Sequence, residues 1–502
     1  MKSTSLCQFL AVLLVLLSSC RTYQVQPVPN PETPRILTKH DRERPRQIEI
    51  YFDGTSNDWS ARTNVRRRFE VAAQPEDPAR PCLYIEGVGT DSLSGKIFGV
   101  GMKSRVLAAY KFLARNWRRG NGKSEDADQI LVFGFSRGAF QARMLAGFMA
   151  HCGLPRLPGW EGRASSKLSE TEEAELDRLA EDVWAYCEKN LTDPTQQEAA
   201  GGPAVWRNRL AANQKSLQAA MSARHPHFQW GKPSIKLLAV WDTVPGLPFS
   251  KLSSLGEPEK GRQLYKVRPY PNVETVVHAL SLDDRRSKFE PLLVGAPVDP
   301  AATNVYEVWF PGVHSDVGGG YSDSNDMAGI SLNWLHRIMK QRGITSKPTI
   351  VYDDPLAIMH HPEDAWMHKL TSKNVARKVP AGAWIDRTAF RRADGERHPE
   401  EGRRYKVYAT SNPVVGGPGA GQILKVSEAG KGRPAQEEYL RKLGLVLHDD
   451  RVGYEESLPE SGKKAVGPLS ISQMAAAWNE VPKSHTKKET PPATAPKKAV
   501  KP

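Results

Sequence analysis

The stretch QILVFGFSRGAFQARMLAGFMA, Gln129 to Ala150, decides how the rest of the chain is read. QILVFGF is an apolar run rich in aliphatic and aromatic residues, which is the pattern of a buried strand. AFQARMLAGFMA reads as an apolar helix, so GFSRG must turn the chain from strand to helix within five residues. A turn that tight projects the Ser136 hydroxyl above the end of the sheet. Gly134 and Gly138 permit it because no Cβ stands between strand and helix. The helix N-terminus then faces the hydroxyl, and its unsatisfied N–H groups favour an oxyanion developing there. Ser136 is therefore the candidate nucleophile.

Outward from this turn the same rhythm repeats. QIEIYF (47–52) and CLYIEGVGT (82–90) read as earlier strands, IKLLAVWD (235–242) and VYEVWF (305–310) as later buried ones. Between Lys103 and Trp117 the residues Val106, Ala109, Tyr110, Leu113, Ala114 and Trp117 recur at helical spacing. Alternation of this kind gives an α/β protein with a mostly parallel sheet, its body spanning 47–343. A charged, helix-favouring insert at 161–226, opened by a capping box at Ser169 and Glu172, breaks the alternation and reads as a lid over the carboxyl edge of the sheet. Residues 344–482 offer no strong period and read as a smaller, irregular accessory region. The last residues, 483–502, are Pro, Thr and Lys with nothing to bury, and read as a disordered basic tail.

A serine hydroxyl needs a base and the base needs an acid. Of 13 histidines, His314 stands apart: it follows a buried strand in WFPGVHSDVGGGY, where three glycines let the loop close around it. Asp242 ends the strand before it and is the candidate acid. Asp316 is too near His314 in sequence to orient the ring, and reads as a brace for the loop or a cation ligand. Asp283 and Asp284, in ALSLDDRR, read as helical residues paired with Arg285 or Arg286.

IYFDGTSND, Ile50 to Asp58, resembles the start of a haloacid-type phosphatase, but Tyr51 stands where the nucleophilic aspartate belongs. A phenol with an ordinary pKa near 10 does not replace a carboxylate. Asp53 instead reads as a brace for a turn from which Gly54 or Thr55 donates a backbone N–H to the oxyanion, with Arg137 giving the other. No cofactor or metal is required by this chemistry.

The start of the chain is read separately. Lys2 and the apolar run Phe9–Leu17 make a signal peptide over 1–19, since nine helical residues rise only about 14 Å against a hydrocarbon core of about 30 Å. LSSC (17–20) resembles the lipobox of bacterial lipoproteins, which implies acylation at Cys20 and, in enteric bacteria, an outer-membrane location facing the periplasm. The Pro-rich stretch 20–46 then reads as a tether. A net charge of +14 fits an anionic partner; together with the anchor it points to a phospholipid membrane as surface and substrate, not to nucleic acid. Cys82, Cys152 and Cys187 are too few and scattered for a disulfide framework or a zinc site.

Six ordered blocks, FDGTSN (52–57), GVGT (87–90), GFSRGAF (134–140), WDTV (241–244), HALSLDDRRSKFEP (278–291) and FPGVHSDVGGGY (310–321), resemble the α/β-hydrolase family of type VI secretion phospholipase effectors. The resemblance covers about 47–343. It implies an α/β-hydrolase-like fold with a helical insertion, phospholipase activity, and a triad falling on Ser136, Asp242 and His314. The signal and lipobox depart from effectors loaded from the cytoplasm. The rival readings are an inactive envelope-binding protein on the same fold, an esterase of a non-lipid envelope substrate, and a phosphatase based on Asp53.

Overall fold

A computed structural model of the chain describes residues 25–27, 46–55, 57, 61–73, 81–87, 95–118, 127–156, 168–191, 201–245, 267–344, 351–362, 373–394, 410–412 and 424–449. The expected signal at 1–19, Cys20, most of the tether and the tail at 483–502 lie outside the described residues.

In chain order the strands are β1 (Val25–Pro27), β2 (Gln47–Phe52), β3 (Cys82–Ile85), β4 (Gln129–Phe135), β5 (Leu154–Arg156), β6 (Gln229–Gly231), β7 (Ile235–Trp241), β8 (Thr275–Ser281), β9 (Asn304–Phe310), β10 (Lys378–Pro380), β11 (Trp384–Asp386), β12 (Thr410–Asn412) and β13 (Val446–His448). The main sheet runs β1-β3-β2-β4-β7-β8-β9-β11-β13. Every neighbouring pair in it is parallel except β1 with β3. The principal helices are α1 (Asn64–Ala72), α2 (Gly95–Asn116), α3 (Arg137–Cys152), α4 (Glu170–Asn190), α5 (Pro203–Ser222), α6 (His314–Gly318), α7 (Asp326–Gln341), α8 (Thr388–Asp394) and α9 (Arg433–Lys442).

Apolar residues on both faces of each central strand demand cover on both sides. On β4, Ile130 and Val132 join residues of α2 and α3 in one core, while Leu131, Phe133 and Phe135 join residues of α1 and α7 in another. The expected helix near 103–117 is α2, and its six apolar residues are all buried. The strand order reverses at β2, with β3 on one side and β4 on the other. Such a switch point opens a crevice at the carboxyl ends of the strands, and Asp53, Ser136, Asp242 and His314 all follow strands at that edge. Among the described residues no helix is long and apolar enough to cross a membrane.

Three expectations are corrected. The segment around HALS is a strand, β8, buried along its whole length, and Asp283 and Asp284 lie in the loop after it, not on a helix. Burial on both faces leaves no alternation to separate such a strand from a helix.

The insert is the second. Its capping box is present, with Ser169 N–H donating to Glu172 at 2.8 Å and Glu172 N–H to Ser169 Oγ at 3.3 Å. Its described helices, however, do not lie across the carboxyl edge as a lid. α4 runs along α2, joined by Lys103–Glu181 at 2.7 Å and by Lys111–Asp177 and Arg115–Glu173. It also meets the far half of α3, where Phe148 and Trp184 pack 5.3 Å apart. α5 reaches that end of α3 through Gln214, which donates to the Ala150 carbonyl at 2.8 Å. The buried Cys152 and Cys187 thiols meet at the same seam, Sγ to Sγ 2.7 Å.

Third, the C-terminal region is no mere appendage. β11 pairs in parallel with β9, and β13 with β11. One unit thus holds the described residues through His448.

Candidate active site

β4 ends in the expected turn. Ser136 has φ 58° and ψ −123°, a conformation that costs a non-glycine residue about 1–3 kcal/mol and persists only where its surroundings impose it. Three backbone bonds do so: Ser136 N–H to the Trp241 carbonyl at 3.0 Å, and the Phe140 and Val244 N–H groups to the Ser136 carbonyl at 3.2 Å each. The two glycines are needed for space. A Cβ on Gly134 would fall 2.6 Å from the Gly138 carbonyl oxygen, and one on Gly138 would fall 2.5 Å from that of Asp53.

Asp242, immediately after β7, is fully buried and also takes a positive φ of 37°. His314 donates from Nδ1 to Asp242 Oδ2 at 2.6 Å. A carboxylate only accepts, so Nδ1 carries a proton, and in the neutral ring Nε2 holds the lone pair. That Nε2 is buried with no hydrogen-bond partner, and Ser136, 5 % exposed, is not bonded to it in this structure. The imidazole is packed by Phe135, the neighbour of Ser136, at 4.6 Å between ring centroids, and by Phe289 at 5.0 Å. The structure thus joins acid to base directly, and brings the base against the residue that precedes the serine.

The loop carrying His314 is fastened by three acids: Asp316, expected as a brace, and Asp283 and Asp284, whose bonds to this loop were not expected. Asp283 accepts the Gly312 N–H at 2.6 Å, and Asp284 accepts the His314 N–H at 3.2 Å while pairing with Arg286 at 2.6 Å. Asp316 accepts the Val313 N–H at 3.0 Å and meets His360 Nδ1 at 2.5 Å, so it braces the loop. Burial raises Asp316 above the ordinary carboxylate range, against the pull of His360.

Asp53 is likewise a hub. It accepts Gly54 N–H, Thr63 Oγ–H and Tyr84 O–H at 2.7 Å each, and Asn57 at 3.4 Å. Burial pushes its pKa up to about 6 in spite of these bonds. The Gly54 amide is therefore engaged by Asp53, which leaves Thr55 of the two expected alternatives to stand with Arg137. The Thr55 hydroxyl is buried without a partner, and Arg137 opens α3 directly after Ser136. Tyr51 lies away from this edge, donating to Glu49, which also pairs with Arg68 at 3.2 Å.

Sequence reasoning missed Arg377. It is 4 % exposed and comes from the region read as irregular. Its Nη2 lies 3.0 Å from Asp242 Oδ2 and 3.0 Å from Ser281 Oγ, and its Nη1 lies 3.4 Å from Asp242 Oδ1. Ser281 adds its N–H at 3.1 Å and its hydroxyl at 3.0 Å to the same carboxylate. Burial would raise Asp242, but the Arg377 charge and the His314 bond outweigh it and hold the carboxyl well below its usual range. Beside Arg377 opens a cleft of about 320 Å³, walled by Pro291, Leu292, Leu293 and Val375 and lined also by Arg286, Lys378 and the acids Asp284 and Glu290. Among the described residues no group of three or more His, Cys, Asp or Glu is arranged to hold a metal.

A family model described as "T6SS, phospholipase effector Tle1-like, catalytic domain" matches residues 46–338. An uncharacterized protein of Saccharomyces cerevisiae is 25 % identical over 268 residues, which are 49 % of this chain and 32 % of that protein, so the match spans about a third of its length. Among solved structures, an uncharacterized protein from Pseudomonas aeruginosa aligns at 15 % identity and TM-score 0.32, covering 64 % of this chain and 50 % of that one. A Tle1 effector bound to the VgrG spike of a type 6 secretion system aligns at 16 % and 0.27, covering 60 % and 58 %. A carboxylesterase from Lactobacillus plantarum aligns at 9 % and 0.28, covering 65 % and 100 %.

Proposed function

The chain belongs to the Tle1-like phospholipase effector family of the type VI secretion system, through its catalytic domain, and from that premise we propose that it hydrolyses acyl esters of membrane glycerophospholipids by a serine mechanism. The observation that carries the reading is the buried Asp242–His314 bond at 2.6 Å set beside a serine in a forced backbone conformation. Ser136 Oγ attacks the ester carbonyl and passes its proton to the free lone pair of His314 Nε2. Asp242 fixes the tautomer and stabilises the imidazolium. The Thr55 and Arg137 backbone N–H groups take the oxyanion. His314 then protonates the leaving alcohol, and water repeats the cycle on the acyl-enzyme. The cleft beside Arg377 supports a lipid substrate, since its apolar wall suits an acyl chain.

The same proposal places the mature chain in a bacterial cell envelope, acylated at Cys20 and facing the periplasm, with the phospholipid bilayer as both anchor and substrate. Nothing in the chemistry calls for a cofactor. The test is fatty-acid release from mixed phospholipid vesicles by the full chain beside Ser136→Ala. Release that falls at least ~10³-fold in the variant is the expected result. Release that survives the substitution would remove the mechanism. If neither protein releases fatty acid but a fluorophosphonate labels Ser136, the nucleophile stands and the ester is not a phospholipid.

A further inference from the structure

Arg377 lies outside the residues matched by the family model, 46–338, yet it touches the acid of the proposed triad. Its position is fixed by backbone. Ser287 N–H donates to the Lys373 carbonyl at 3.0 Å and Val375 N–H to that of Arg285 at 2.6 Å, and Arg286 and Asn374 form an antiparallel bridge. Its Nε donates to the Asp284 carbonyl at 2.9 Å. The guanidinium is thus delivered to Asp242 from a tethered segment, two of its nitrogens reaching the two carboxylate oxygens.

We infer that Arg377 is a positioning residue for ester hydrolysis, acting through Asp242: its planar fork sets the rotation of the carboxylate so that Oδ2 meets His314 Nδ1, and its charge balances that carboxylate. The inference rests on the proposed triad. A guanidinium spans two oxygens in a fixed plane, whereas an ammonium is a single point of charge. The groups facing the Asp242–His314 pair are Ser281 from β8, Asp284 with Arg286 from the loop after it, Arg377, and the rings of Phe135 and Phe289. Asp284 has Arg286 as its own counter-charge, so Arg377 is the cation that balances Asp242. Without it the buried negative charge beside the imidazole is uncompensated, and protonation of the ring becomes easier.

The measurement is the second-order rate of fluorophosphonate labelling at Ser136 against pH, on the full chain and its Arg377→Met and Arg377→Lys variants, with a thermal melt of each. Labelling reads the activated serine without requiring the native ester. The expected result is a rate about tenfold or more lower at neutral pH in Arg377→Met, with the acidic limb moved up by about one pH unit. Arg377→Lys restores the limb and not the rate, because it returns the charge without the fork. A structural role alone would lower the fraction folded and leave the limb in place, which would overturn the inference. If Arg377→Met does not fold, Arg377→Lys decides: a lowered rate with an unmoved limb supports the inference, and parental labelling overturns it. Should the parent itself resist labelling, the nucleophile fails first and takes this inference with it; a labelled parent with indifferent variants sinks the inference alone.

Discussion

At Asp53 the carboxylate is 1 % exposed and titrates near 6 in the folded chain. The ordinary value is close to 3.9, so between about pH 4 and 6 the folded state binds a proton that the unfolded state has released. Stability contributed by this group is therefore full below the unfolded value and declines as pH rises through 6. The difference of about two units corresponds to about 3 kcal/mol. Asp53→Asn cannot titrate, so the stability of the parent relative to the variant should fall by about that amount from pH 4 to pH 7. Urea unfolding at four pH values across this window measures it, and a constant gap would show that Asp53 titrates normally. The brace was legible because Tyr51 removes the phosphatase reading and leaves the aspartate beside a Gly-Thr turn. Arg377 was not: it meets an acid 135 residues away, and a lone arginine in SKNVARKVP bears no spacing relation to a partner brought to it by folding.

The strand–turn–helix of β4 and α3 shows what spacing does encode. A pentapeptide between an apolar strand and an apolar helix admits few paths, and the structure takes the one that needs glycine at both ends. Gly138 is the stricter test, because an added Cβ would meet the carbonyl oxygens of Phe52 and Asp53, which are backbone and tied into the β2 edge. Gly138→Ala should shift α3 away from β2, move Ser136 relative to His314, and lower the labelling rate by about 10²-fold, the scale of a 1 Å misplacement. Its thermal midpoint should also fall, by several degrees. Parental labelling by this variant would mean that the turn has slack the packing does not show. β8 was illegible for the opposite reason: a strand buried on both faces carries no period, and its approach to Asp283 and Asp284 reads equally well as helix. The insert was legible as helices but not as a lid, since an amphipathic face says that something is covered and not what. α4 turns Leu176, Leu179, Val183 and Trp184 onto the α2–α3 layer.

For the whole molecule, the boundary near 343 inferred from failing periodicity divides what the structure unites. β11 and β13 are three residues each, too short to announce themselves, and they join the sheet only because β9 offers an edge. Around them Leu280, Trp309, Val379, Ile385, Phe390, Leu424 and Leu440 form a third core that straddles the expected boundary. Ending the chain at Gly343 would expose the outer edge of β9, uncover that apolar surface and remove Arg377 from Asp242. An unpaired strand edge beside apolar surface favours aggregation, and removing one partner of a buried ion pair alone costs about 3–5 kcal/mol. A chain ending at Gly343 should therefore be recovered mainly as aggregate, and its soluble fraction should label at Ser136 no faster than Arg377→Met. Size-exclusion chromatography followed by fluorophosphonate labelling measures both. A monodisperse truncated chain with parental labelling would show that the family-matched residues make a complete enzyme, and that the C-terminal strands and Arg377 are additions to a site that works without them.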